Sequence, residues 1–129
     1  MIQDNPQQAG DAYCAGIVDA DGCITRSSGN VRVQVTSVDR ILCDYFVTRY
    51  GGSVYQYQGH NNAGRTIYTW QVSGRTARKV LESIEPYLLL KRNKAFWAIR
   101  SLDALPKDRE LLLRNLVANV DPSAAAETK

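Results

Sequence analysis

Apolar positions along the chain change period several times, and the changes mark its elements. Ala9 to Asp21 reads as one helix, with Tyr13, Ile17 and Val18 directed to the core and Gly22 supplying a left-handed stop. Cys23 to Ser27 is a short strand, and Ser28-Gly29-Asn30 is a turn. Val31 to Ser37 alternates, with Val31, Val33 and Val35 facing one way and Arg32, Gln34 and Thr36 the other. Asp39 can cap a second helix whose stripe of Ile41, Leu42, Tyr45 and Phe46 is closed by Gly51-Gly52. A second hairpin pairs Ser53 to Gln58 with Thr66 to Ser73 across GHNNAG. In it Tyr55 and Tyr57 are expected inward against Gln56 and Gln58 outward, and Tyr68, Trp70 and Val72 oppose Thr69 and Gln71. A third helix places Ala77, Val80, Leu81 and Ile84 inward and stops before Pro86. Further helices are expected around Lys94 to Leu105 and Arg109 to Val120, followed by a frayed tail, DPSAAAETK.

This order predicts an α+β fold, αββαββα with extra C-terminal helices. Its four antiparallel strands form one sheet with helices on one face and the other face open. Residues 1–120 make a single domain and 121–129 a tail. The open face is expected to carry Arg32, Gln34, Thr36, Gln56, Gln58, Thr69 and Gln71, with Arg65 at its edge and Thr25 and Ser27 from the first strand. Arg26 has the opposite parity but can swing out at the strand end. That face has amides, hydroxyls and cations and no carboxylate, whereas a merely solvated sheet mixes Glu with Lys. Arg and Gln are the side chains that read guanine and adenine edges bidentately in the major groove.

Charge sharpens that reading. The net charge is only +3, but Gly22 to Leu81 holds eight Lys or Arg against Asp39 and Asp44. Arg75 to Arg100 holds seven basic residues against Glu82 and Glu85. A polyanionic partner fits this section. No apolar run approaches a membrane span, and MIQDNPQQAG lacks a signal-peptide layout, so no membrane is expected. Cys14, Cys23 and Cys43 show no zinc spacing, and their odd number suits reduced thiols in an intracellular setting.

One stretch resists a purely structural account. The first helix ends on Asp19 and Asp21, although a helix C-terminus carries partial negative charge that disfavours carboxylates. A calcium loop is excluded, since the twelfth position from Asp19 is Asn30 and not Glu. Ala12, Gly16 and Ala20 recur every four residues, a stripe that lets a second helix approach closely. Two copies meeting there would crowd four carboxylates together, which bound divalent cations would relieve. Mg²⁺ needs only one or two carboxylates when phosphate and water complete its shell, and a pair of such ions can hydrolyse a phosphodiester.

The segment CAGIVDADG, residues 14 to 22, resembles the signature of the LAGLIDADG homing endonucleases. Ala15, Gly16, Asp19, Ala20, Asp21 and Gly22 are identical to it, Ile17 and Val18 are conservative, and Cys14 departs. The resemblance runs from about residue 9 to about residue 105 and takes in YTWQVSG at 68 to 74 and PYLLLKRNKA at 86 to 95. With one signature copy, it implies a homodimer joined through the signature helices. It implies too that each sheet lies along the major groove of a long, partly palindromic duplex site, with both strands cut to leave 3′ overhangs. By the same resemblance Asp21 and the backbone carbonyl of Ala20 bind the metal, Mg²⁺ with Mn²⁺ or Ca²⁺ able to substitute in binding. Asp19 supports the helix ends, and Lys91 lies near the scissile phosphate. Many relatives have a glutamine after the second strand that orders the attacking water; this chain has Ser37 there and Arg40 soon after. Two function classes follow: an intron-homing DNA endonuclease, and a non-cleaving binder such as a maturase acting on intron RNA. Asp21 and Lys91 favour the first, and Ser37 keeps the second open.

Overall fold

A computed structural model describes residues 5–58 and 65–123. The expected connection GHNNAG and the tail from residue 124 onward lie outside the described residues.

The first helix, α1 (Pro6–Asp21), starts earlier than its apolar period suggests. Asn5 Oδ1 accepts the backbone N–H of Gln7 at 2.9 Å and of Gln8 at 3.3 Å, and Pro6 takes the first helical position, where it costs no hydrogen bond. At its other end α1 passes without a linker into β1 (Gly22–Ser27). Gly22 does not take the left-handed conformation expected from the sequence; its φ is −94°, an extended backbone. A Cβ there would stand 2.8 Å from Val18 Cα and 3.2 Å from the Gln34 carbonyl oxygen, so close approach demands the glycine. Asp21 is therefore held at an abrupt helix-to-strand corner.

β1 turns into β2 (Asn30–Ser37) through Ser28 and Gly29, both at positive φ, as tight hairpins prefer. Next come α2 (Arg40–Tyr50), β3 (Ser53–Gln58), β4 (Thr66–Ser73) and α3 (Gly74–Ile84). A 3₁₀ turn at Glu85–Tyr87 leads to α4 (Arg92–Asp103) and α5 (Pro106–Ala118). Asp39 caps α2 as expected, its Oδ1 accepting the Ile41 N–H at 3.1 Å. The strands form one antiparallel sheet in the order β1-β2-β4-β3.

Val33, Val35, Ile24, Trp70 and Val72 line the covered face of the sheet against Val18, Phe46, Val80, Leu81 and Ile84 from the helices. Trp70 donates its indole N–H to the Gly51 carbonyl at 2.8 Å and lies 4.6 Å from the Phe46 ring. A Cβ on Gly52, at φ 95°, would come within 2.5 Å of Val72 Cγ1, so the turn into β3 needs glycine on two counts.

Three placements differ from expectation. In α1 the core side is Cys14, Ala15 and Val18; Tyr13 points outward with 55% exposure, and Ile17 is half-buried. In α2, Cys43 and Phe46 face in, while Ile41 is 72% exposed and Tyr45 is also exposed. In β3, Val54 pairs with Trp70 on the covered side, which turns Tyr55 and Tyr57 to the open face and Gln56 and Gln58 to the helix side. The reason is register. A strand's faces alternate strictly, so the one residue anchored in the core decides all the others. Val54 is the anchor, and a tyrosine hydroxyl tolerates water better than valine does.

Candidate nucleic-acid interface and helix-end site

The open face reads as rows across the sheet. Cys23, Gln34, Gln71 and Ser53 stand in one row; Thr25, Arg32 and Ser73 in a second; Thr36, Thr69 and Tyr55 in a third. Local bonds preset several of these side chains. Arg32 donates to Ser27 Oγ at 2.9 Å, Thr36 and Thr69 share a hydrogen bond of 3.0 Å, and Thr69 donates to the Tyr57 hydroxyl at 3.4 Å. No carboxylate occurs on this face among the described residues. Gln56 and Gln58, expected here, are on the opposite side for the register reason given above. Tyr55 and Tyr57 are the surface residues that reading the sequence missed, and Val54 was the available signal. Arg26 does not swing out either; it pairs with Glu110 of α5 at 2.8 Å, because its parity points it at the helices. Arg65 is exposed just before β4.

The two aspartates at the end of α1 have different surroundings. Asp19 is satisfied within the subunit: its carboxylate accepts the N–H groups of Leu89 (2.7 Å), Leu90 (3.1 Å) and Lys91 (3.0 Å). Lys91 answers by donating its Nζ to the Asp19 carbonyl at 2.7 Å, which puts a cation at the negative end of the helix. These four bonds fasten the turn entering α4 to the end of α1. Asp21 is exposed and its carboxylate makes no hydrogen bond among the described residues, and Ala20 beside it is exposed as well. Ser37 and Arg40 lie near the same end of the sheet but are engaged locally. Ser37 Oγ accepts the Asp39 N–H at 2.9 Å, and Arg40 pairs with Asp44 at 3.2 Å.

The donors left free at this corner are oxygens, a carboxylate and helix-end carbonyls, which suit a hard divalent ion. No group of three or more His, Cys, Asp or Glu gathers among the described residues, so these side chains by themselves do not enclose an ion. Ligands from DNA, water or a second chain would have to complete the shell.

Beside this corner runs an uncovered seam. Ala12, Gly16 and Ala20 are all exposed on α1, and a Cβ on Gly16 would meet nothing within 4 Å. Nothing among the described residues therefore calls for glycine there. Tyr13, Ile41 and Tyr45 flank the seam, with the Tyr13 and Tyr45 rings edge to face at 5.6 Å, and help line a concavity of 570 Å³.

No helix among the described residues is long and apolar enough to cross a membrane. No family model matches the sequence, and no curated protein matches it significantly. Solved structures do match. The homing endonuclease I-CvuI in complex with its target in the presence of calcium is 27% identical with a TM-score of 0.72, over 90% of this chain and 85% of that one. The same endonuclease on the I-CreI target in the presence of magnesium, with its DNA not cleaved, gives 25% identity and a TM-score of 0.71 over the same shares. The archaeal intron-encoded homing endonuclease I-Vdi141I, complexed with DNA, is 14% identical and shares the fold, with a TM-score of 0.70 over 90% of this chain and 87% of that one. The signature segment on α1, the sheet order and these solved structures agree: over about 90% of its length the chain carries the fold, and on α1 the signature, of the LAGLIDADG homing endonucleases.

Proposed function

We propose that this protein is a site-specific double-strand DNA endonuclease of the intron-homing kind. It acts as a homodimer joined through α1 and hydrolyses phosphodiester bonds with a divalent metal, Mg²⁺ in the cell, leaving 3′ overhangs. The observation that carries this reading is the contrast between the two helix-end acids. Asp19 is consumed by the fold, whereas Asp21 is free, exposed and electrostatically misplaced unless a cation binds it.

In this reading the open face, with Thr25, Ser27, Arg32, Gln34, Thr36, Thr69, Gln71 and Arg65, lies in the major groove. Tyr55 and Tyr57 add flat apolar surface suited to thymine methyl groups. Asp21 and the Ala20 carbonyl hold the metal, which when bound supplies Lewis-acid activation of water and charge for the leaving oxygen. Asp19 holds Lys91 in place, and Lys91 contributes positive charge toward the scissile phosphate. The Ser37 hydroxyl accepts from Asp39 and keeps its own proton to donate to a water. Arg40 spends one donor on Asp44 and has others for phosphate. Incubating the protein with a plasmid that carries the coding region's uninterrupted insertion locus tests the reading. One linear product is expected with Mg²⁺ and none without it; intact plasmid under a protein that binds it tightly would defeat the endonuclease assignment.

The dimer has its own test. Gly16→Val adds a side chain where the subunit has open space, so each protomer should fold at least as stably as before. The added branches would hold two helices apart, and self-association measured by sedimentation should weaken at least about tenfold, roughly 1.4 kcal/mol. Unchanged association would move the interface away from this seam.

A further inference from the structure

We propose that a basic cleft beneath the β1–β2 turn grips DNA backbone phosphates outboard of the stretch covered by the sheet; this rests on the DNA-binding reading above but not on cleavage. The cleft has a volume of 810 Å³ and lies between Ser28-Gly29-Asn30, the first turns of α3, and the junction of α4 with α5. Arg75, Arg78, Lys79 and Arg109 line it against a single carboxylate, Asp103.

Those cations differ in what occupies them. Arg78 is bound to Asp103 at 2.6 and 2.7 Å and to Glu82 at 2.6 Å, and its guanidinium holds the Asp103 carboxyl below the ordinary range. Arg109 donates to the Ser101 and Ala104 carbonyls and so braces the α4–α5 turn. Arg75 and Lys79 are exposed and have no ion pair among the described residues. They are one turn apart on α3, close enough to share one phosphate group. The first turn of α3 adds unsatisfied N–H groups, since Ser73 makes no side-chain cap.

Position selects the occupant. Arg32 and Ser73 share the last row that joins β2 to β4, and Gly74 opens α3 directly after it, so the basic surface continues from the face into the cleft. Asp21 adjoins the opposite end of β1, six residues away, or about 20 Å at the rise of a strand. A duplex whose scissile phosphate lies at Asp21 and which follows the sheet would leave it at this cleft. The first hairpin is short, so phosphate contacts here lengthen the footprint where base contacts run out.

The test is equilibrium binding in calcium buffer of wild type, Arg75→Ala/Lys79→Ala and Arg114→Ala, a cation outside the cleft. The probes are a duplex holding the insertion locus and the same duplex extended by one helical turn on each side. Wild type is expected to bind the longer duplex more tightly, and the double variant to bind both alike. The variant's log–log salt slope should be shallower by about 0.9 per lost contact, near 2 per protomer. Arg114→Ala should track wild type. A double variant with wild-type slope and wild-type gain from the flanks overturns the cleft, as does a wild type that binds but gains nothing from them. Wild type that binds neither duplex overturns the DNA-binding reading as well.

Discussion

Asp21→Asn is expected to abolish cleavage by roughly a thousandfold or more while leaving the protein folded and bound to DNA. Lewis-acid stabilisation of the transition state is worth several kcal/mol, and each 1.4 kcal/mol is tenfold in rate. The amide keeps the shape of the carboxylate but removes the charge that would hold the ion. Stability should move slightly the other way. Asp21 stands at the C-terminus of α1 with no partner among the described residues, so neutralising it should relieve about 0.3–1 kcal/mol of helix-dipole repulsion. The pairing of lost activity with equal or higher melting temperature separates a ligand from a structural residue. Asp19→Asn gives the contrast, because one of its oxygens accepts from two backbone N–H groups and the other from a third. That variant should lose about 1–3 kcal/mol, the cost of stranded donors, along with activity. An Asp21→Asn protein that still cuts at more than a tenth of the wild-type rate would place the metal elsewhere.

The largest expected loss of stability belongs to Asp11→Ala. Asp11 is buried in the N-terminal half of α1, and its Oδ1 accepts from Arg49 at 2.9 Å and from the Tyr50 hydroxyl at 2.6 Å. Arg49 also donates to the Gln7 carbonyl at 2.9 Å and lies against the Tyr45 and Tyr50 rings. Gly10 leaves no room for a Cβ beside that guanidinium. Burial and the Asp11 hydrogen bond both push the Tyr50 hydroxyl above its ordinary range, so it stays a protonated donor. Removing Asp11 strands a nearly buried cation whose Nε already lacks a partner among the described residues. Breaking a buried pair from one side costs about 3–5 kcal/mol, and the residual exposure here favours the lower end. Urea denaturation would read this as a midpoint shift at constant slope. The double variant Asp11→Leu/Arg49→Met should recover much of the loss, since it removes both charges together. A single variant that loses less than about 1 kcal/mol would mean that the cluster is not what fastens α1 to α2.

That clamp bears on the site. It and the Asp19–Lys91 tie hold α1 at two places along its length, one on each side of Gly16 in the exposed seam of Ala12, Gly16 and Ala20. Binding groups held on rigid elements lose less freedom when a partner arrives. Burial raises the Cys14 and Cys43 pKa values and keeps both sulfurs neutral.

The sequence by itself determined the element order, the pairing of strands within each hairpin, the open sheet face free of acids, and the peculiarity of two aspartates closing an apolar helix. These are legible because alternation, turn residues and capping act between neighbours a few positions apart. Tertiary structure alone decided which side of an ambiguous element is wet. SVYQYQ offers two faces of similar polarity, and only the pairing of Val54 with Trp70 turns the tyrosines outward. The stripe of α2 likewise looks wider than the core can take, so packing around Phe46 leaves Ile41 and Tyr45 outside beside Tyr13. The separation of Asp19 from Asp21 is of the same kind. Both are acids at the wrong end of a helix, and the difference comes from three backbone N–H groups some seventy residues further along the chain. Local chemistry can announce that a charge is misplaced, but only a long-range contact can say which charge has already been answered.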